Sequence, residues 1–266
     1  MENPIITLTT DFGYKDPFVG IMKGIILDVN PTAKIVDITH GISPQNISEA
    51  ALTLEMSFNT FSHNTIHLVV VDPGVGSARR PILAVTEDYY FIGPDNGVFS
   101  RIFPLAERLL VLHITATHYF LKKDGSTFQG KDVFAPVAGW LSKGIEVTNF
   151  GEPITDFKKI SVPIPQLTTK NTIEGEVMYI DRFGNIMTNI HTKKISEMIG
   201  SNSENKLKVL VKGKEVPLKS YYGQATDSGL YSLINSFGYL ELFIRNGNAS
   251  RTFSIKVGEK VEVTVM

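Results

Sequence analysis

Three short stretches of this sequence put a carboxylate beside glycine, where a chain can do chemistry. Thr9-Thr10-Asp11-Phe12-Gly13 closes a β-rich run. A carboxylate there can accept hydrogen bonds from two vicinal hydroxyls, as in ribose recognition, or cap the amides of its own turn. Val71-Asp72-Pro73-Gly74-Val75-Gly76-Ser77 follows the most hydrophobic run of the chain. Such a loop usually holds tight backbone close to a ligand. Arg79 or Arg80 follows and can pair with Asp72, in a functional or a purely structural ion pair. The stretch lacks the GxxxxGK[ST] lysine and the GxGxxG spacing, so it is a poor phosphate cradle. Asp181-Arg182-Phe183-Gly184-Asn185 interrupts two β-rich runs. It reads as a hairpin loop, or as an acceptor and an amide suited to an ammonium group and a nucleobase edge.

Other candidates read more plainly. Pro94-Asp95-Asn96-Gly97 has the signature of a turn. Thr127-Phe128-Gln129-Gly130-Lys131-Asp132 precedes a helix, with Thr127 or Asp132 as caps. Histidines 40, 63, 67, 113, 118 and 191 show no metal-binding spacing and read as structural or surface residues, so no metal is expected. Trp140 reads as core. No GxSxG elbow is present. With no cysteine in the chain, thiolate–metal sites, disulfides and Cys nucleophiles are excluded.

The elements that must position these residues change character along the chain. In the first half strand and helix signals alternate. Runs at residues 5–9, 34–38, 65–71, 82–86, 89–92 and 109–114 read as strands. Asp16-Pro17 and Ser43-Pro44 each look like an N-cap followed by proline in the first turn, opening helices to about Val29 and through Ile47, Ala50, Ala51 and Leu54. A further helix is expected over residues 132–141. The uninterrupted apolar run at 65–71 suits a strand buried on both faces of a parallel sheet. SVPIPQLTTKN, with two prolines at alternate positions, suits an extended linker. Beyond it short strands dominate, at 175–180, 186–190, 207–211, 229–234, 239–244 and 261–265. The expectation is an α/β N-terminal domain over 1–160 with a mostly parallel sheet layered by helices. A linker at 161–171 and a smaller all-β barrel- or sandwich-like domain over 172–266 follow.

At 266 residues the chain suits two domains. Lys and Arg number 26 against 27 Asp and Glu, so no global basic field draws nucleic acid or an anionic membrane. No apolar run approaches the roughly 20 residues of a bilayer span. The N-terminus has no basic region before Asp11, so no secretory signal is expected and the cytoplasm is the expected location.

Taken together, ITLTTDFGYKDPFVGIMKGII, VDITHGISPQNISEAA, VVVDPGVGSARRPI, PDNGVFS, GEVMYIDRFGNIMTNI and NSFGYLELFI resemble one family over nearly the whole chain. It is the S-adenosyl-L-methionine (SAM) hydrolases, also called SAM hydroxide adenosyltransferases, relatives of the fluorinases and chlorinases. The resemblance implies a homotrimer with its site between subunits, and cleavage of SAM by water to adenosine and L-methionine without a cofactor. It implies that Asp11 grips the ribose diol, Asp181 meets the methionine ammonium, Asn185 reads the adenine edge and Ser236 lies against the methionine carboxylate. Asp72 and Arg79, seven residues apart, match two members of an Asp–Arg–His set that orients the attacking water. The family usually reads TFHGRD where this chain reads TFQGKD, so the third member is Gln129. Gln donates and accepts hydrogen bonds but has no useful proton affinity. A non-catalytic SAM- or adenosine-binding protein is therefore one alternative. A halogenase is another, disfavoured because halide would sit against the Asp72 carboxylate, where halide-using relatives carry an uncharged residue. Phe237 and Phe243 could serve a subunit contact or the core.

Overall fold

The computed structural model describes residues 4–121, 127–199 and 207–266. They fall into two compact units divided between Val162 and Pro163.

The first unit carries β1 (Ile5–Thr10), α1 (Phe18–Val29), β2 (Lys34–Thr39), α2 (Ile47–Ser57), β3 (Ile66–Val70), β4 (Pro81–Val85), β5 (Tyr90–Pro94), β6 (Leu110–Ile114), α3 (Ala135–Ser142) and β7 (Gly151–Pro153). The strands form one sheet in the order β2-β1-β3-β5-β4-β6-β7. Pairing is parallel from β2 to β5 and antiparallel from β5 to β7. The antiparallel half arises because the β4–β5 connection, Thr86 to Tyr89, is a tight turn closed by Thr86 N–H to Tyr89 C=O at 3.0 Å. Only a longer crossover can join parallel neighbours.

β3 is buried along its full length and divides its side chains between two cores. Ile66, Leu68 and Val70 pack with Met22, Ile26 and Val137, on the face covered by α1 and α3. Val69 and Val71 pack with Ala50, Leu54 and Phe91, on the face covered by α2. The sheet is thus helix-covered on both faces, which is why its strands read as continuous apolar runs. Trp140 is half-buried against the α1/α3 core. The chain leaves β1 for β2 on one side and returns to β3 on the other, a reversal that opens a crevice at the carboxyl ends of β1 and β3.

Helix starts differ from the sequence expectation. α1 begins after Pro17 with no side-chain cap, so Asp16 does not cap it. α2 is capped by Asn46, whose side chain accepts Glu49 N–H, and Ser43-Pro44 lies in the preceding turn. The expected helix at 132–141 is in part a π-turn over Gly130–Phe134 leading into α3.

The second unit carries β8 (Gln166–Thr169), β9 (Thr172–Ile180), β10 (Ile186–His191), α4 (Thr192–Ile199), β11 (Leu207–Val211), β12 (Lys214–Val216), β13 (Tyr231–Ile234), β14 (Tyr239–Phe243), α5 (Ala249–Phe253) and β15 (Lys260–Val265). β8 extends the sheet by pairing with β9. All its strand pairs are antiparallel, in the order β12-β11-β15-β9-β10-β14-β13. The segment after β12 turns back onto β13, where Ser232 N–H reaches Pro217 C=O at 2.9 Å and Lys219 N–H reaches Ser232 C=O at 2.7 Å. The sheet is therefore a nearly closed barrel around Ile173, Val177, Ile186, Leu242 and Val263. Phe243 is fully buried with Tyr231, so it belongs to the core.

Candidate active site

The β1–β3 register fixes the first two carboxylates. Thr10 pairs with Val70 at the carboxyl ends of the two strands. Asp11 is one residue past that pair and Asp72 two residues past it. Both line a cleft of about 390 Å³, together with Phe12, Phe18, Gln45, Phe128 and Gln129. One Asp11 oxygen, Oδ2, accepts Gln45 N–H at 2.7 Å, from the loop that follows β2.

Asp72 is held by Arg79. Arg79 Nε donates to Asp72 Oδ1 at 2.9 Å and Nη2 donates to Oδ2 in a short contact. The two side chains are 6% and 4% exposed, a buried ion pair. The guanidinium also lies over the Phe134 ring at 5.3 Å. Such a pair stands or falls together: removing one partner of a buried pair costs roughly 3–5 kcal/mol. Arg80, the neighbour, has a different task. It binds Asp95 through Nε and Nη2 at 3.0 and 2.7 Å, and Asp156 through Nη1 at 2.7 Å.

The Pro94–Gly97 stretch is more than the plain turn expected. Asp95 is buried and also accepts Lys158 N–H at 2.7 Å. Asn96 Nδ2 donates to Val71 C=O at 2.8 Å, which fixes the residue before Asp72.

Gln129 stands immediately before the π-turn. Its Oε1 is buried with no hydrogen-bond partner among the described residues, and the same holds for Arg79 Nη1. A buried acceptor and a buried donor are each costly to leave unmade and call for a polar guest. Sequence reasoning missed the apolar wall beside them. The rings of Phe12, Phe18 and Phe128 meet edge to face, with centroids 5.2–5.7 Å apart. The signal was a phenylalanine next to each of two polar motifs.

In the second unit Asp181 is engaged by its own loop. Its Oδ1 accepts Phe183 N–H and Asn185 N–H at 2.9 and 2.8 Å, and its Oδ2 accepts Asn185 Nδ2 at 2.9 Å. Asn185 lines a pocket of about 590 Å³ with Phe183, Tyr222, Arg245 and Asn248. Gly184 has φ +89°, and a Cβ there would lie 2.1 Å from Asn248 Cγ, so only glycine lets the two loops meet. Ser236 is exposed in the turn between β13 and β14 and does not line this pocket. Its turn is nevertheless tied to the pocket wall. Asn235 Nδ2 donates to Glu241 Oε2 at 3.1 Å, and Tyr222 O–H donates to Glu241 Oε1 at 2.6 Å. Burial, then the Glu241 hydrogen bond, raises the Tyr222 pKa and keeps the phenol protonated. Tyr222, Glu241, Arg245 and Asn248 were missed in the sequence; an acid within the apolar run YLELF was the available signal.

Among the described residues no group of three or more His, Asp or Glu is placed to hold a metal ion, and no helix is long and apolar enough to cross a membrane. Residues 6–151 match the SAM hydroxide adenosyltransferase N-terminal domain and residues 175–262 match its C-terminal domain. The chain belongs to the SAM hydroxide adenosyltransferase family. A family relative from Methanocaldococcus jannaschii, named (R)-S-adenosyl-L-methionine hydrolase, is 36% identical over 97% of this chain and 95% of its own. One of the same name from Thermus thermophilus is 30% identical, covering 96% and 97%. A fluorinase from an Actinoplanes species is 25% identical, covering 98% of each. The crystal structure of an uncharacterized conserved protein from Thermotoga maritima superposes with a TM-score of 0.88 at 33% identity, covering 98% of this chain and 99% of that one.

Proposed function

We propose that this member of the SAM hydroxide adenosyltransferase family is an enzyme that hydrolyses S-adenosyl-L-methionine to adenosine and L-methionine. The reaction is an in-line displacement at the ribose 5′ carbon by an oriented water. The observation that carries this reading is the buried Asp72–Arg79 pair at the cleft that also holds Asp11 and Gln129. The names of the hydrolase relatives support it.

The leaving group is a neutral thioether, so no general acid is needed. As the carbon–oxygen bond forms, the sulfonium charge passes to the attacking oxygen and leaves as a proton, and a site that excludes bulk water protects the reacting centre from side reactions. The phenylalanine wall supplies the dryness. Asp72 and Arg79 hold the water in line with the carbon–sulfur bond, and positioning of this kind supplies up to roughly 7–11 kcal/mol at its limit. Gln129 Oε1 accepts one water proton as a hydrogen bond, without taking it. Asp11 accepts hydrogen bonds from the ribose diol. In the homotrimer we propose, each active site is completed by a neighbouring subunit. Its Asp181 meets the ammonium, Asn185 reads the adenine edge and Ser236 meets the carboxylate of methionine. No cofactor is needed for these steps. We place the enzyme in the cytoplasm.

Gln129 also supports a second reading, a protein that binds SAM or adenosine without turnover. Incubation with SAM in ¹⁸O-labelled water separates the two. Hydrolysis puts the label in the adenosine 5′ hydroxyl. Binding with no adenosine after long incubation selects the second reading, and 5′-chloro-5′-deoxyadenosine in chloride buffer would select halogenation.

A further inference from the structure

Four residues flank Asp11, the proposed diol-binding group, and one buried residue outside the cleft is tied to all four, to Thr10 and Tyr14 by its side chain, to Gly13 by its carbonyl and to Phe12 through Thr10. His40 follows β2, and its side chain is fully buried. Its Nδ1 lies 2.8 Å from Thr10 Oγ1. Thr10 Oγ1 in turn accepts Phe12 N–H at 3.2 Å. The His40 carbonyl accepts Gly13 N–H at 2.7 Å. Tyr14 sets its ring edge-on against the imidazole, centroids 5.1 Å apart, and donates its O–H to Asp37 Oδ2 at 3.1 Å. Asp37 Oδ1 lies 3.1 Å from His40 Nε2, and Lys23 Nζ donates to Oδ2 at 2.7 Å.

The two ring nitrogens divide the contacts. Nδ1 shares a hydrogen bond with the Thr10 hydroxyl, whose oxygen also accepts Phe12 N–H, and Nε2 is the nitrogen that faces Asp37. Burial acts to raise the Asp37 pKa, but hydrogen bonds from Lys23 and His40 outweigh it, so the carboxylate stays ionised. The same loop sends Gln45 N–H to Asp11 Oδ2, so both the backbone of Asp11 and one of its oxygens are set from one template.

We infer that His40 is a positioning residue, which fixes the Thr10–Tyr14 loop so that the Asp11 carboxylate meets a ribose 2′,3′-diol. The inference rests on the ribose role proposed for Asp11. A buried imidazole is chosen over an apolar side chain because it hydrogen-bonds Thr10 on one edge and faces the Asp37 carboxylate on the other.

The test compares binding of adenosine with 2′-deoxyadenosine, which needs no turnover, alongside KM and kcat for SAM. In His40→Leu the preference for adenosine should fall about tenfold, with KM raised more than kcat is lowered. In His40→Asn it should largely return, because the amide can still hydrogen-bond Thr10. Thr10→Val breaks the same relay without touching His40, and should lose the preference even if His40→Leu fails to fold. Asp11→Asn should lose it too, with no further loss in the His40→Leu, Asp11→Asn double variant. Preference intact in folded His40→Leu and in Thr10→Val overturns the inference, even if melting temperature falls. Preference intact in Asp11→Asn overturns the ribose reading of Asp11 itself, and the positioning role with it.

Discussion

Acid should destabilise this protein through one identifiable group, His67 of β3. Its side chain is buried in the α2 face of the sheet, with Nδ1 2.8 Å from Thr7 Oγ1. The ring stacks on Phe91 at 5.2 Å and is edged by Phe58, Phe61 and Tyr89. Burial pushes its pKa down from 6.5 to about 3. The unfolded chain therefore takes up a proton near pH 6.5 that the folded chain refuses until near pH 3. Folded stability is unaffected above pH 6.5 and falls as pH drops through that window. At about 1.36 kcal/mol per pKa unit, the whole shift corresponds to about 5 kcal/mol, and acidification from pH 7.5 to 4.5 alone to about 2.7 kcal/mol. A domain holds on the order of 5–15 kcal/mol, so this loss is large. Urea unfolding of wild type and His67→Phe across that range isolates the group, because the other titrating residues are shared. His67→Phe should start about 1–2 kcal/mol less stable, since Thr7 loses its partner, yet should lose about 2.7 kcal/mol less on acidification. Parallel pH profiles for the two proteins, or an imidazole resonance of His67 that titrates near pH 6.5 in the folded state, would refute the reasoning.

The active-site residues give further expectations. Asp72→Asn should lower kcat by roughly 10²–10³-fold with a much smaller change in SAM affinity, checked by steady-state kinetics and calorimetry; equal losses in both would make Asp72 a binding residue. The same change leaves Arg79 buried without its counter-charge and should cost about 3 kcal/mol of stability by denaturant unfolding. Gln129→His should raise turnover, with a pH dependence near about 6.5, if a protonatable group is what the site lacks; an unchanged steady-state rate is the outcome that orientation alone expects. Gly184→Ala should weaken adenosine binding, because its Cβ meets Asn248; unaltered affinity by titration would free that loop contact of any role.

The parts of this fold that were legible in the sequence are those where one local feature dominates. β3 showed because a strand buried on both faces must be apolar throughout. Asp11 and Asp72 showed because they follow β-rich runs, and the sheet then put those runs side by side. Helix starts were harder, since Ser43-Pro44 and Asn46 are all plausible caps within four residues and only the Asn46 contact to Glu49 N–H decides. Arg79 against Arg80 is the same problem in charge. Adjacent residues leading into a strand point apart, and the choice was made by Asp95 and Asp156, distant in sequence. Tyr222 and Glu241 were illegible because their bond joins residues 19 apart that only barrel closure brings together. The His40 relay was hidden likewise, as a histidine without metal spacing that serves a residue 30 positions away.

The hydrogen bonding around Asp72 bears on what the site can do with water. Both carboxylate oxygens are already occupied by Arg79, a fork-to-fork pair that fixes the carboxylate in one plane. A base so engaged is a poor proton acceptor, but a precise one. The two groups left without partners are a donor, Arg79 Nη1, and an acceptor, Gln129 Oε1. A water that accepts from the first and donates to the second has its remaining lone pair directed by geometry alone. Proton loss can then follow carbon–oxygen bond formation, when the attacking oxygen has become acidic enough to give its proton to the Asp72 carboxylate, poor acceptor though it is, which passes it on to solvent. On this view a glutamine at position 129 keeps the part of a histidine that aims the water and dispenses with the part that titrates. The reaction tolerates that loss because the positive charge of the sulfonium passes to the attacking oxygen as the carbon–oxygen bond forms, so the proton need leave only once that oxygen is acidic.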